Sequence, residues 1–114
     1  MESPQRKFPN DPLTFIQTCV RQQSIFWTYH VHMRLQGRSS ARQAMLDAVD
    51  TYEIIEAYPE DKYFPRYLVL ATHHEEGLHI LFATDVAGTN VRLITAYRPS
   101  PDEWESDGKT RRTP

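Results

Sequence analysis

A chain of 114 residues has room for one domain with a single core, and its 39% hydrophobic and 25% charged residues fit a soluble globular protein. No apolar run approaches the roughly 20 residues of a transmembrane helix, and the first residues, Met-Glu-Ser-Pro-Gln-Arg-Lys-Phe-Pro, offer no secretory core. The net charge of −2 argues against a general nucleic-acid binder, and the single Cys19 excludes an internal disulfide and a cysteine zinc site, so a cytoplasmic location is expected.

The charge is unevenly spread. Residues 1–45 hold six Lys/Arg against two Asp/Glu, whereas residues 46–65 hold six Asp/Glu against one lysine. A mildly acidic protein can therefore still present a local basic surface, and the local field is what a phosphate meets.

Residues 1–11 are polar and proline-rich and read as a flexible lead-in to a single domain over 12–112. Asp11-Pro12 predicts a helix start, with Asp11 as N-cap and proline in the first turn. Leu13, Ile16 and Val20 then share a face up to about Gln22 or Gln23. Ile25-Phe26-Trp27 suits the start of a strand, but Thr28 as N-cap and the i,i+4 pair Val31/Leu35 favour a second helix from Ser24 or Tyr29 to Gln36, closed by Gly37. Ser40 and Gln43 have capping-box spacing, ahead of a helix of about ten residues with a narrow face of Ala41, Ala44, Met45, Ala48 and Val49.

From Tyr52 the period changes. Residues 52–58, 66–72, 78–84 and 91–97 read as four strands, with turns at 59–62, 73–77 and 87–90. The second, Arg66-Tyr67-Leu68-Val69-Leu70-Ala71-Thr72, is nearly continuously apolar, as in a central strand. Short connections make the last three an antiparallel meander. Ser100-Pro101-Asp102-Glu103-Trp104 has the cap, proline and acidic third residue of a short final helix, followed by a basic ending with Arg111 and Arg112. The order predicts an α+β domain with N-terminal helices packed on a four-stranded, mainly antiparallel sheet.

The chemistry concentrates first at His30-Val31-His32-Met33-Arg34-Leu35-Gln36-Gly37-Arg38. On a helix, steps of four turn only about 40° and bring His30, Arg34 and Arg38 onto one stripe. An imidazole beside two permanent cations suits a phosphate; a solvated helix face is the plain alternative. His30-x-His32 has the look of a ligand pair, but on a helix the two diverge by about 200°. His73-His74-Glu75-Glu76 falls in a turn, and without a His-Glu-x-x-His spacing no metal and no cofactor is expected.

These residues also carry a resemblance. His30-x3-Arg34-Leu35-x2-Arg38, the short helix after it, Glu56 and Tyr58-Pro59, Leu78-His79, and Thr95-Ala96-Tyr97 with Pro99 and Trp104 resemble a bacterial family of small domains of unknown function. Its signature is His-x3-Arg-Met-x2-Arg-Gly; here Leu35 replaces Met and Ser39 replaces Gly. That family is similar to the RelE/barnase-like ribonuclease toxins of toxin–antitoxin systems, and the match covers roughly residues 25–112. It implies a RelE/barnase-like fold, RNA as a partner, and a small zinc-ribbon or helix-turn-helix antitoxin as another.

Metal-independent RNA cleavage needs a base for the 2′-hydroxyl, an acid for the leaving 5′-oxygen and cations for the phosphorane. His30 suits the acid–base work, and Arg34 and Arg38 suit the phosphate oxygens. His79 has Leu81 and Ala83 as parity neighbours, so it belongs either to the core or to the site. Tyr97 fits a stacking platform, a proton donor or a packing residue. Arg111 and Arg112 either close on the RNA backbone or remain a solvated tail. The expectation is an endoribonuclease with His30, Arg34, Arg38, His79 and Tyr97 as catalytic residues and Arg111 and Arg112 as RNA contacts. The alternatives are a non-catalytic interaction module of the same fold, supported by the acidic 46–65 segment, and an RNA binder without cleavage.

Overall fold

The computed structural model describes residues 8–27, 41–60 and 63–112. Helix α1, Pro12–Arg21, begins as its sequence dictates: Asp11 Oδ1 accepts from the Thr14 amide at 3.1 Å and its second oxygen from the Thr14 hydroxyl at 2.8 Å. It ends at Gln22, and Gln23 takes φ 58°, the left-handed turn that reverses the chain. Ile16, Cys19 and Val20 form its buried stripe.

The next three residues correct the expectation of a helix. Ile25–Trp27 is strand β1, parallel to β5, with Ile25 opposite Val91, Phe26 opposite Arg92 and Trp27 opposite Leu93. A β-branched residue followed by two aromatics fits a pleated, half-buried surface better than a helix, and β5 supplies the ladder. The rest of the expected second helix, with His30, Arg34, Arg38 and the closing Gly37, lies outside the described residues, as does the Ser40 cap. Helix α2, Ala41–Asp47, is shorter than expected and passes into a single 3₁₀ turn, Val49–Thr51.

Four further strands follow: β2 Glu53–Tyr58, β3 Arg66–His73, β4 Glu76–Asp85 and β5 Asn90–Tyr97. The β3–β4 hairpin is tight, with His74 and Glu75 both at positive φ between the paired His73 and Glu76. In the β4–β5 turn, a Cβ on Gly88 would stand 2.5 Å from Asp85 Oδ2, so a larger residue would push aside the carboxylate that accepts from the Gly88 amide. The sheet therefore has five strands, not four, in the order β1-β5-β4-β3-β2, and is mixed because β1 runs parallel to β5. The class is α+β. Among the described residues no helix is long and apolar enough to cross a membrane.

The core lies on the helical face. Ile16, Cys19, Val20 and Met45 pack on Tyr67, Val69 and Ala71 of β3, Leu78, Ile80 and Phe82 of β4, and Val91, Leu93 and Ala96 of β5. Tyr52 is buried among them and satisfies its hydroxyl on the Met45 carbonyl at 2.7 Å.

The predicted final helix is not formed. Glu103 and Trp104 donate their amides to Ser100, giving one turn, but Trp104 then pairs with Arg111 as an antiparallel bridge and Glu105 donates to Thr110. Pairing across the chain takes the amides a helix would need. The result is a looped strap, residues 99–112, laid over the sheet face opposite the helices. Gly108, at φ +72°, sits over Leu70.

Candidate functional site

Two β-bulges decide which side chains reach the open face. In β2, Ile54 pairs with Val69 but Glu56 pairs with Leu68, leaving Ile55 as an extra residue. In β5, Leu93 pairs with Phe82 but Thr95 pairs with Leu81, leaving Ile94 extra. Strict alternation would have put Glu56 and Tyr58 on the side of Ile54, and Thr95 and Tyr97 on the side of Leu93, facing the helices. Each bulge flips the residues that follow it. Glu56, Tyr58, Thr95 and Tyr97 thereby turn onto the open face.

There Tyr58, Thr95 and Tyr97 line a groove of about 430 Å³ with Arg66, Leu68, Leu81 and Arg111, and Glu56 is joined to it through Tyr58 and Arg111. The strap delivers Arg111, whose guanidinium lies 4.5 Å over the Trp104 ring. Its fork meets Glu56 twice, Nε to Oε2 at 2.6 Å and Nη2 to Oε1 at 3.0 Å. Tyr58 donates its hydroxyl to the same carboxylate. Donation from Arg111 holds the Glu56 carboxyl below the ordinary carboxylate range, despite partial burial that pushes the other way. The bond to Glu56 raises the Tyr58 phenol, and burial raises that of Tyr97, so both keep their protons at neutral pH.

Of the residues expected from sequence, His79, Tyr97 and Arg111 come together and Arg112 does not join them. His79 is fully buried beneath the strap, with its ring edge-on to Trp104 at 4.3 Å and to Tyr97 at 5.3 Å. Its Nε2 lies 2.7 Å from the Gly108 carbonyl. A carbonyl only accepts, so Nε2 carries the proton and Nδ1, which is buried without a partner, is the bare nitrogen. Burial pushes the His79 pKa down. The imidazole thus pins the strap and lies beneath the groove, while Tyr97 opens into it. Arg112 turns inward along the strap, donating to the Pro101 carbonyl at 2.6 Å and pairing with Glu105 at 3.0 Å.

Sequence reasoning missed Glu56, Tyr58 and Arg66 as site residues. Glu56 and Tyr58 share strand parity, which was a visible signal; their facing was not. Among the described residues no group of three His, Cys, Asp or Glu side chains converges as metal ligands would.

A known domain family, DUF4258, described as a domain of unknown function, matches residues 27–98. The chain belongs to the DUF4258 family. The matched span contains the His30–Arg38 segment, both bulges and every groove residue except Arg111, which the strap adds beyond it. No curated protein and no solved structure matches the chain.

Proposed function

We propose that this DUF4258 protein is a metal-independent endoribonuclease of the RelE/barnase-like type, the toxin half of a toxin–antitoxin pair. The observation that carries the reading is the groove itself, where a carboxylate, a forked cation and two protonated phenols share one open sheet face. The resemblance of the His30, Arg34 and Arg38 stripe supports it from the sequence.

In this reading Glu56, ionised at neutral pH, takes the proton of a ribose 2′-hydroxyl. The freed 2′-oxygen attacks the adjacent phosphorus, and the bond from phosphorus to the 5′-oxygen breaks. Arg111 and Arg66 hold the phosphorane charge, and the leaving 5′-oxygen takes a proton from an acid. Tyr97 is the acid on this face, and His30 is the one the resemblance implies. The products are a 2′,3′-cyclic phosphate and a 5′-hydroxyl. His79 is a positioning residue for the strap and, through it, for Arg111. A small zinc-ribbon or helix-turn-helix antitoxin remains the proposed protein partner, on the resemblance alone.

Incubating the purified protein with RNA in the presence of a chelator tests the reading. Cleavage is expected to continue without metal, and Glu56→Gln, Arg111→Gln and His30→Ala are each expected to lower its rate about 100-fold or more. Wild-type protein that leaves RNA intact overturns catalysis. Binding without cutting favours the second reading, an RNA binder, for which the mutual closure of Glu56 and Arg111 already speaks.

A further inference from the structure

The open face carries a second groove, of about 280 Å³, lined by Tyr63, Phe64, Arg66, Ala83, Arg92 and Ile94. It shares Arg66 with the first, so the two lie side by side. The registers explain its composition. Phe26 pairs with Arg92, Arg92 with Ala83, Ala83 with Arg66, and Arg66 with Tyr58. One row thus crosses all five strands, a span of about 19 Å at ordinary strand spacing. It reads aromatic, arginine, alanine, arginine, aromatic.

Two of its features point to a nucleic-acid strand. Ala83, 3% exposed, is the small floor between two arginines, and their strands are about 10 Å apart, leaving an unfilled slot with cationic walls. Among the described residues the lining includes no carboxylate. Arg92 faces the Asp85 carboxylate at a loose 3.9 Å, whereas Arg111 is held by Glu56 through two bonds of 2.6 and 3.0 Å, so this pairing consumes far less of the Arg92 charge. Its guanidinium lies 4.8 Å over the Phe64 ring. Around the slot, Phe26 and Tyr63 are 56% and 69% exposed, an unusual outlay of ring surface.

We infer that the Arg66–Ala83–Arg92 slot binds the backbone of single-stranded RNA flanking the cleavage groove, with Phe64 and its neighbouring rings stacking unpaired bases. This rests on the RNA reading above and specifies its substrate: paired bases cannot present their faces to these rings, and splayed ones can.

The test is fluorescence anisotropy with a labelled single-stranded RNA of about 12 nucleotides, and a duplex of the same sequence. Both are made with 2′-O-methyl sugars, which remove the nucleophile so that binding is read apart from cutting. Wild-type protein is expected to prefer the single strand at least tenfold. Arg92→Gln is expected to weaken single-strand binding about tenfold and to flatten the slope of log affinity against log salt by about 0.7, the share of one phosphate contact. Phe64→Ala, at a partly buried ring, is expected to weaken it at least fivefold with the slope unchanged. Thermal melts check that both variants fold. Unchanged binding in both variants, with Arg111→Gln weakened, overturns the slot and leaves the cleavage groove standing. Equal duplex affinity overturns the single-strand assignment. Binding that follows this pattern while unmodified RNA stays intact upholds the slot and overturns catalysis. No binding by wild-type protein overturns the slot and the RNA reading together.

Discussion

Glu56 and His79 are both titratable, both sit under the influence of the strap, and both have depressed pKa values for opposite reasons. Glu56 is depressed because Arg111 favours its charge; its pairing is complete above the usual carboxylate value of about 4.3 and is lost as pH falls through the lower folded value. His79 is depressed because burial disfavours its charge. Its neutral ring supports the fold fully above about 6.5, and that support drains away as pH drops through the folded value. Denaturant melts from pH 8 to 5 should therefore show stability falling on the acid side of neutrality, and His79→Leu should flatten that decline. An unaltered pH profile in the variant would remove His79 from the account. Catalysis gives a second readout on the same residues. If Glu56 is the base, Arg111→Gln raises its pKa, so the acid limb of the pH–rate profile of the remaining activity moves to higher pH.

At the scale of elements, the strap is the piece with its own stability. It is tied by Trp104, by the Gly108 carbonyl on His79, by Asp107, which accepts from the amides of Lys109 and Thr110, and by ion pairs of Lys109 and Arg111 with Glu53 and Glu56 on β2. Trp104 is the apolar anchor, 2% exposed. Trp104→Ala is expected to lower the free energy of strap opening by about 3 kcal/mol. Hydrogen exchange should then rise across 99–112 while the amides of β3 and β4 stay protected; uniform loss of protection would mean that the strap is no separate unit. Much of this level was legible in the sequence. The Asp11 cap fixed the start of α1, and apolar runs bounded by turn residues found β2 to β5 to within about two residues. The bulges were not legible, because alternation in Glu53–Tyr58 and Asn90–Tyr97 is read only against partner strands. β1 escaped because three residues hold too little periodicity to separate strand from helix. The strap passed for a helix because Ser100, Pro101 and Glu103 form a real first turn, and the pairing that stops it comes from Arg111.

Across the whole molecule, consecutive strands β1 and β2 lie at opposite edges, and the β3–β5 meander fills the space between them. β2 to β5 pair through short connections, whereas β1 must find residues 91–93 far along the chain. Loop closure makes that the costlier contact, and at three residues β1 is also the shortest strand. Native-state exchange should rank accordingly, slowest at Val69, Ile80 and Phe82 and markedly faster at Phe26 and Trp27; equal protection would show that β1 belongs to the same cooperative unit as the meander. A face read across five strands also draws its residues from positions 26, 58, 66, 83 and 92, which no linear pattern joins.

The strap's position in the chain has one more consequence. Every strand is complete by Tyr97, but Arg111, which joins Arg66 as a cation of the groove, arrives only after the exposed Glu105, Ser106 and Asp107. A single endoproteolytic nick in that tripeptide spares all five strands, detaches the Arg111 arm and uncovers the roof over His79. The groove can thus lose one of its cations while the sheet keeps every strand.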